Sequence, residues 1–274
     1  MAAAPLLMRR EPGRSSLYRH PFVKKIPLLL LSLLLAGGAC AQDLPPVTPM
    51  PEVPGDLPPG TNPAIYPEGK FDWFLRVKAN IENGKKAAAD CQVIFDGDSI
   101  TDFWPKTGKE IWAQDYAKYN AFDFAIAGDQ TQHLLWRLSQ GQAEGMHPKL
   151  IVLLIGTNNM PYNTPDQIAE GVKTIIAAYQ QRCPGAVILL QGIFPHGEKP
   201  DDPIRAKIKQ TNEILAKFGD GKQVLYLDFG DKFLQPDGTI TREIMPDFTH
   251  PSAKGYQIWA DAIQPIIDQY LAVQ

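Results

Sequence analysis

From residue 71 onward the apolar and polar positions of this chain switch between two periods. The stretch "FDWFLRVKANIENGKK" (71–86) spaces its apolar residues as one helix face and predicts an amphipathic helix ending near Gly84. Five short apolar segments follow: "CQVIFD" (91–96), "AFDFAIAG" (121–128), "LIVLLIG" (150–156), "AVILLQGIF" (186–194) and "VLYLDF" (224–229). The third is continuously apolar, as a central strand covered on both faces requires. Helical spacing returns over 131–140, from Pro165 to about Arg182, from about Ile204 to Phe218, and from Ser252 to near Leu271. Pro165 at a first turn and Asp166 near the positive end of the dipole mark the start of the longest internal helix. Strands that alternate with helices predict one parallel, doubly wound α/β sheet of five strands, with no internal repeat and no second domain.

The first 70 residues break this pattern. Arg9, Arg10, Arg14, Arg19, Lys24 and Lys25 precede the 13-residue run "IPLLLLSLLLAGG" (26–38), and Ala39-Cys40-Ala41 follows it. A basic segment, a short apolar segment and an A-x-A site predict a signal peptide cleaved after Ala41, hence a secreted or periplasmic protein. The run is shorter than the roughly 20 residues that span a bilayer. A lipoprotein anchored through Cys40 is the alternative, although Gly37 stands where a lipobox carries an aliphatic residue. Nine prolines between residues 45 and 67 predict an extended tether over 42–69, leaving 70–274 as the folded domain.

Removing residues 1–41 changes the charge balance from 27 basic and 30 acidic side chains to 21 and 29, a net of −8. Such a field repels polyanions, so neither nucleic acid nor an anionic membrane is expected as a partner, and no stable membrane insertion is expected after cleavage. Cys91 and Cys183 both read as strand starts. A disulfide between them is permitted in an oxidising compartment, and two half-buried thiols are equally compatible with the pattern. No Cys/His cluster has zinc spacing, so neither a metal nor a cofactor is expected. The oligomeric state stays open, a homodimer included.

Ligands of open parallel sheets bind outside the carboxyl ends of the strands. The first strand ends in "DGDSIT", the second in "IAGDQT" and the third in "GTNN", so three polar or glycine-rich termini converge on one edge. Late in the chain, "PDFTHPSAKGY" puts Asp247 and His250 three residues apart, where a turn can aim both the same way. Ser99 itself reads two ways, as a helix cap or as a nucleophile. A serine, an imidazole, a carboxylate and oxyanion donors are the parts of an acyl-transfer site, and the G-x-S-x-G elbow of α/β-hydrolases does not occur around Ser99.

The four blocks "DGDSIT", "AIAGDQT", "LIGTNN" and "DFTHPSAKGY", in this order, resemble those of the GDSL or SGNH hydrolases, nearest the branch that includes catalytic subunits of intracellular platelet-activating-factor acetylhydrolase. The resemblance covers roughly residues 71–271. It implies a flavodoxin-like three-layer α/β/α fold and an esterase that needs no cofactor. It further implies Ser99 as nucleophile, His250 as general base and Asp247 as the carboxylate that orients it. The N–H groups of Ser99 and Gly128, with the Asn158 amide, would form the oxyanion hole. Gly128 and Asn158 also have plainer readings as turn formers.

His196, after the fourth strand, is the rival base or a pocket-wall residue. His133 and His147 read as structural or solvated, and Asp98 as a turn-shaping neighbour of Ser99. Trp104, Trp112 and Trp136 are candidate pocket-lining residues, with core packing as the other reading. The substrate expected is a short acyl ester, acetyl foremost, on a small molecule or carbohydrate. A phospholipid acetylhydrolase, a lysophospholipase and a non-catalytic glycan-binding module are the alternatives.

Overall fold

The computed structural model describes Leu57 and residues 59–271. The expected signal peptide, the lipoprotein alternative at Cys40 and most of the tether lie outside the described residues. Five parallel strands, β1 (Val93–Gly97), β2 (Phe122–Asp123), β3 (Leu150–Leu154), β4 (Val187–Gln191) and β5 (Val224–Leu227), form one sheet in the order β2-β1-β3-β4-β5. The helices are α1 (Phe74–Ala87), the short α2 (Ser99–Asp102) and α3 (Lys109–Ile111), then α4 (Thr131–Ser139), α5 (Pro165–Arg182), α6 (Pro203–Leu215) and α7 (Ala253–Leu271).

Side-chain alternation along each strand divides the core in two. Ile94, Ile151, Leu153, Ile188 and Leu190 face α4, α5 and α6. Val93, Phe95, Val152, Leu154 and Leu189 face α7 and an aromatic cluster built on Trp104, Tyr116 and Trp259. This is the three-layer α/β/α architecture expected from the sequence. Chain order reverses at β1, whose neighbours are β2 and β3. The carboxyl end of β1 is therefore where a ligand-binding crevice opens.

Four local readings need correction. The second strand pairs only over Phe122–Asp123, not 121–128. Beyond it the chain still donates to β1, from Phe124 N to Phe95 O at 2.9 Å and from Ile126 N to Gly97 O at 3.3 Å. Beyond Asp123 its carbonyls accept from side chains: Arg137 donates to Phe124 O at 3.1 Å, Arg76 to Ala125 O at 3.3 Å and Lys70 to Ala127 O at 3.2 Å. Gly84 does not stop α1 but lies inside it, because a Cβ there would stand 2.5 Å from the Phe124 ring. The tether expected to run to residue 69 cannot do so, because Ala64 is fully buried with its carbonyl accepting from Thr131 Oγ1 at 2.7 Å, and Asn62 Nδ2 donates to Gln167 O at 3.0 Å. Cys183 caps the end of α5 and does not open a strand; it and Cys91 are buried free thiols.

Candidate active site

The turn after β1 decides what Ser99 can do. Asp98 is in extended conformation and its Oδ1 accepts the Ile100 N–H at 3.0 Å, so the cap of α2 is Asp98. Ser99 is released from that duty, and its Oγ lies 2.7 Å from His250 Nε2. Gly97 lets β1 run this close to β3, since a Cβ at that position would meet Leu154 O at 2.0 Å. The Asp98 carboxyl is wholly buried, and among the described residues its Oδ2 has no hydrogen-bond partner. Burial pushes it up to about 7, the Ile100 N–H opposes this, and the charge of Asp129 adds to the rise.

The turn before α7 carries the other two groups. Phe248 adopts φ 60°, a left-handed conformation a bulky residue rarely takes, and so folds Asp247 back toward His250. Asp247 Oδ1 accepts the N–H groups of Thr249 (3.1 Å) and His250 (2.8 Å), and Oδ2 lies 2.6 Å from His250 Nδ1. Partial burial works to raise the Asp247 carboxyl, but these bonds and the imidazole together hold it below the ordinary carboxylate value. An anionic Asp247 accepts a hydrogen bond from Nδ1–H, which keeps the proton on Nδ1 and leaves Nε2 as the acceptor facing Ser99. The Phe103 ring packs 5.2 Å from the imidazole.

Of the three expected oxyanion donors, Gly128 and Asn158 line one cleft. Among the described residues, no acceptor is hydrogen-bonded to the backbone N–H of Ser99 or of Gly128. Gly128 has φ +77°, which only glycine takes without strain. Asn158 donates one amide hydrogen to Asp129 O at 2.9 Å, which leaves its second for a ligand. The neighbouring Asn159 is buried and structural, accepting Thr131 N–H at 2.9 Å and donating to Asn163 Oδ1 at 3.0 Å. An open cleft of about 370 Å³ begins at Gly128 and Asn158 and is walled by Gln130, His196 and Thr249, with Tyr162 presented to solvent.

Beneath this loop lies a polar cluster the sequence reading missed. Arg137, fully buried, donates from Nε to Asp129 Oδ2 at 2.8 Å and from Nη2 to Asp96 Oδ1 at 3.0 Å. Gln142 and Tyr179 both donate to the other oxygen of Asp96, Oδ2. Burial raises the Asp129 carboxyl despite the pull of Arg137 and Lys70. An arginine inside the apolar run "TQHLLWRLSQ" is the one signal that could have pointed to it.

Other candidates fall elsewhere. His196 stands on the cleft wall; among the described residues its Nε2 has no hydrogen-bond partner, and burial lowers its basicity to about 4 against the pull of Asp202. His133 accepts the Gln130 N–H at 3.0 Å within its own helix start, and His147 is exposed. None of the three tryptophans lines the cleft. Trp104 packs against Tyr256 and Trp259, Trp112 against Phe95, and Trp136 against α1, because each lies below the sheet edge on a core-facing side. A second cavity of about 360 Å³, between α6 and the end of β5, is lined by neither Ser99 nor His250, and its Asp228 is already paired with Asn212 and Tyr226.

The profile of the GDSL-like Lipase/Acylhydrolase family matches residues 95–258. The chain is 34% identical over 218 residues to platelet-activating factor acetylhydrolase IB subunit alpha2 of Homo sapiens, covering 77% of this chain and 93% of that one. Among solved structures, a GDSL-like lipase from Bacteroides thetaiotaomicron superposes with a TM-score of 0.58 at 18% identity, covering 72% of this chain and 98% of the other. An acetylxylan esterase from Geobacillus stearothermophilus, solved as a catalytic mutant, superposes at 0.50 with 18% identity, covering 67% and 94%. Identity of one third along nearly the whole of an acetylhydrolase subunit, on a sheet with the same architecture, leaves one placement: this chain belongs to the GDSL-like lipase/acylhydrolase family and is an ester-cleaving hydrolase.

Proposed function

We propose that the protein is an exported esterase that removes short acyl groups, acetyl foremost, from a hydroxylated carrier through an acyl-enzyme on Ser99. The observation that carries this reading is the chain of two short hydrogen bonds, Ser99 Oγ to His250 Nε2 at 2.7 Å and His250 Nδ1 to Asp247 Oδ2 at 2.6 Å. His250 takes the Ser99 proton as Oγ bonds to the ester carbonyl carbon. The resulting oxyanion accepts hydrogen bonds from the N–H groups of Ser99 and Gly128 and from the Asn158 amide. Collapse breaks the bond to the leaving alcohol, which receives the proton from His250. Water then repeats the sequence on the acyl-serine, releasing the acid and restoring Ser99.

The basic, apolar and small-residue blocks of residues 1–41 support export, with cleavage after Ala41. An exposed tyrosine beside a polar wall containing Gln130 and His196 supports a carbohydrate as the leaving group. The acetylhydrolase relatives support acetyl as the acyl group and also favour a second reading, an acetylated phospholipid as substrate. A non-catalytic glycan-binding module has no use for the Ser99–His250 bond. The test is a chain-length series of nitrophenyl esters beside acetylated xylan, acetylated sialic acid and a lysophospholipid, with and without EDTA. Acetate is expected as the preferred acyl group, with full activity in EDTA. A maximum at eight or more carbons with no acetate released from any sugar would overturn the reading.

A further inference from the structure

The segment that precedes β1 lies outside the family-matched residues 95–258, yet it reaches the oxyanion loop. Lys70 Nζ donates to Ala127 O at 3.2 Å and lies 3.5 Å from Asp129 Oδ1. The same loop is held on its other side by Asp102, whose Oδ2 accepts the Ala127 N–H at 3.1 Å and pairs with Arg76 Nη1 at 2.8 Å.

The carbonyl that Lys70 grips belongs to the same peptide unit as the N–H of Gly128. A trans peptide is planar, so its C=O and N–H point in opposite directions. Fixing Ala127 O on one side therefore fixes the aim of the Gly128 N–H on the other. A cation on the carbonyl oxygen also polarises the unit, which strengthens the N–H as a donor. Charge works the same way. Arg137 is shared by the buried carboxylates Asp96 and Asp129, two against one. Lys70 is a second cation beside Asp129, the residue that follows Gly128. Without it an uncompensated carboxylate would stand one residue from the place where negative charge develops, in a poorly screened setting.

We propose that Lys70 is a positioning residue for ester hydrolysis: from the N-terminal segment it aims and polarises the Ala127–Gly128 peptide and offsets the charge of Asp129. This rests on the oxyanion assignment above. It acts through the Gly128 N–H and touches no substrate. Its side chain is only a quarter exposed, with Nζ 5.4 Å from the centre of the Trp73 ring. Nζ also lies close over Gly128, where a Cβ would stand 3.1 Å from it.

The experiment is steady-state hydrolysis of nitrophenyl acetate by the full chain and by Lys70→Met, Lys70→Gln and Lys70→Arg, with thermal melts to verify folding. Losing a whole oxyanion donor costs about 10²–10³ in kcat, so weakening one should cost about tenfold. The expected result is a fall of fivefold or more in kcat for Lys70→Met, with KM within threefold of wild type and Lys70→Arg restoring kcat to within threefold. A smaller fall, a loss carried by KM, or an arginine variant as slow as the methionine one overturns the proposal. If Lys70→Met does not fold, Lys70→Gln is read by the same limits. Ser99→Ala run alongside separates the two layers. Ser99-dependent turnover with Lys70 kinetics unchanged sinks this inference alone, whereas a wild type without Ser99-dependent turnover sinks the esterase reading and this inference with it.

Discussion

Asp98 holds Ser99 in place at a cost that depends on pH, and Asp98→Asn measures that cost. The carboxyl is fully buried, one oxygen capping α2 and the other without a partner among the described residues. Its folded-state value near 7 stands against 3.8 for an unburied aspartate. A difference of about three units at 1.36 kcal/mol each corresponds to about 4 kcal/mol. The sign follows from proton binding. Between about pH 4 and 7 the folded protein keeps a proton that the unfolded chain has released, so this group's contribution to stability falls as pH rises. Above the folded value both states are ionised and the penalty stays constant.

Asparagine keeps the capping acceptor and removes the charge, while burying an unpartnered amide that costs about 1–3 kcal/mol at every pH. Urea unfolding of both proteins from pH 4 to pH 8 gives the difference in stability, from which titrations common to both cancel. The variant should begin at or below wild type at pH 4 and gain roughly 4 kcal/mol on it by pH 8. A difference that stays flat within about 1 kcal/mol across that range would refute the assigned burial of a titrating carboxyl under the nucleophile.

The remaining expectations concern the relay, the oxyanion site and the strand that carries them. Ser99→Ala should lose about 10⁴–10⁶ in kcat with an unchanged melting curve, and His250→Ala should match it because the two act as a unit; a folded Ser99→Ala protein with near wild-type turnover refutes the mechanism. Asp247→Ala should be milder, since its side chain is 57% exposed and water can replace part of what it does; a loss as large as that of His250→Ala would contradict this. Asn158→Ala should lower kcat by about 10²–10³ with KM nearly unchanged, and a rise in KM alone would make it a ground-state contact instead. Gly97→Ala should prevent accumulation of soluble, cooperatively melting protein, because the new Cβ meets a backbone oxygen at 2.0 Å, and a variant as stable as wild type would show that β1 and β3 can separate there.

Some of this was legible in the residues alone. A run such as "LIVLLIG" has no polar face, so it had to lie inside a sheet covered on both sides, and five such runs between helices left a parallel α/β fold. Asp247 and His250 share a turn, and local spacing was enough to pair them. Ser99 could not be assigned from its own neighbourhood. Cap and nucleophile both sit at a helix start, and what favours the second is a contact with His250, 151 residues away. The shortened β2 was hidden for the same kind of reason: its hydrophobic pattern continues to Gly128, but beyond Asp123 its carbonyls are taken by the side chains of Arg137, Arg76 and Lys70. The tryptophans looked like pocket residues because composition does not say which side of a sheet edge a ring falls on.

What the sequence determined, then, are the properties set by periods of two and 3.6 residues and by contacts within a turn: the elements, their order and the local acid–imidazole pair. Tertiary structure decided which buried charges face one another and which backbone groups remain free to bind a substrate. Those depend on distances between segments that are remote in the chain, where a few ångströms separate a satisfied carboxylate from an orphaned one, and no local pattern of residues encodes that separation.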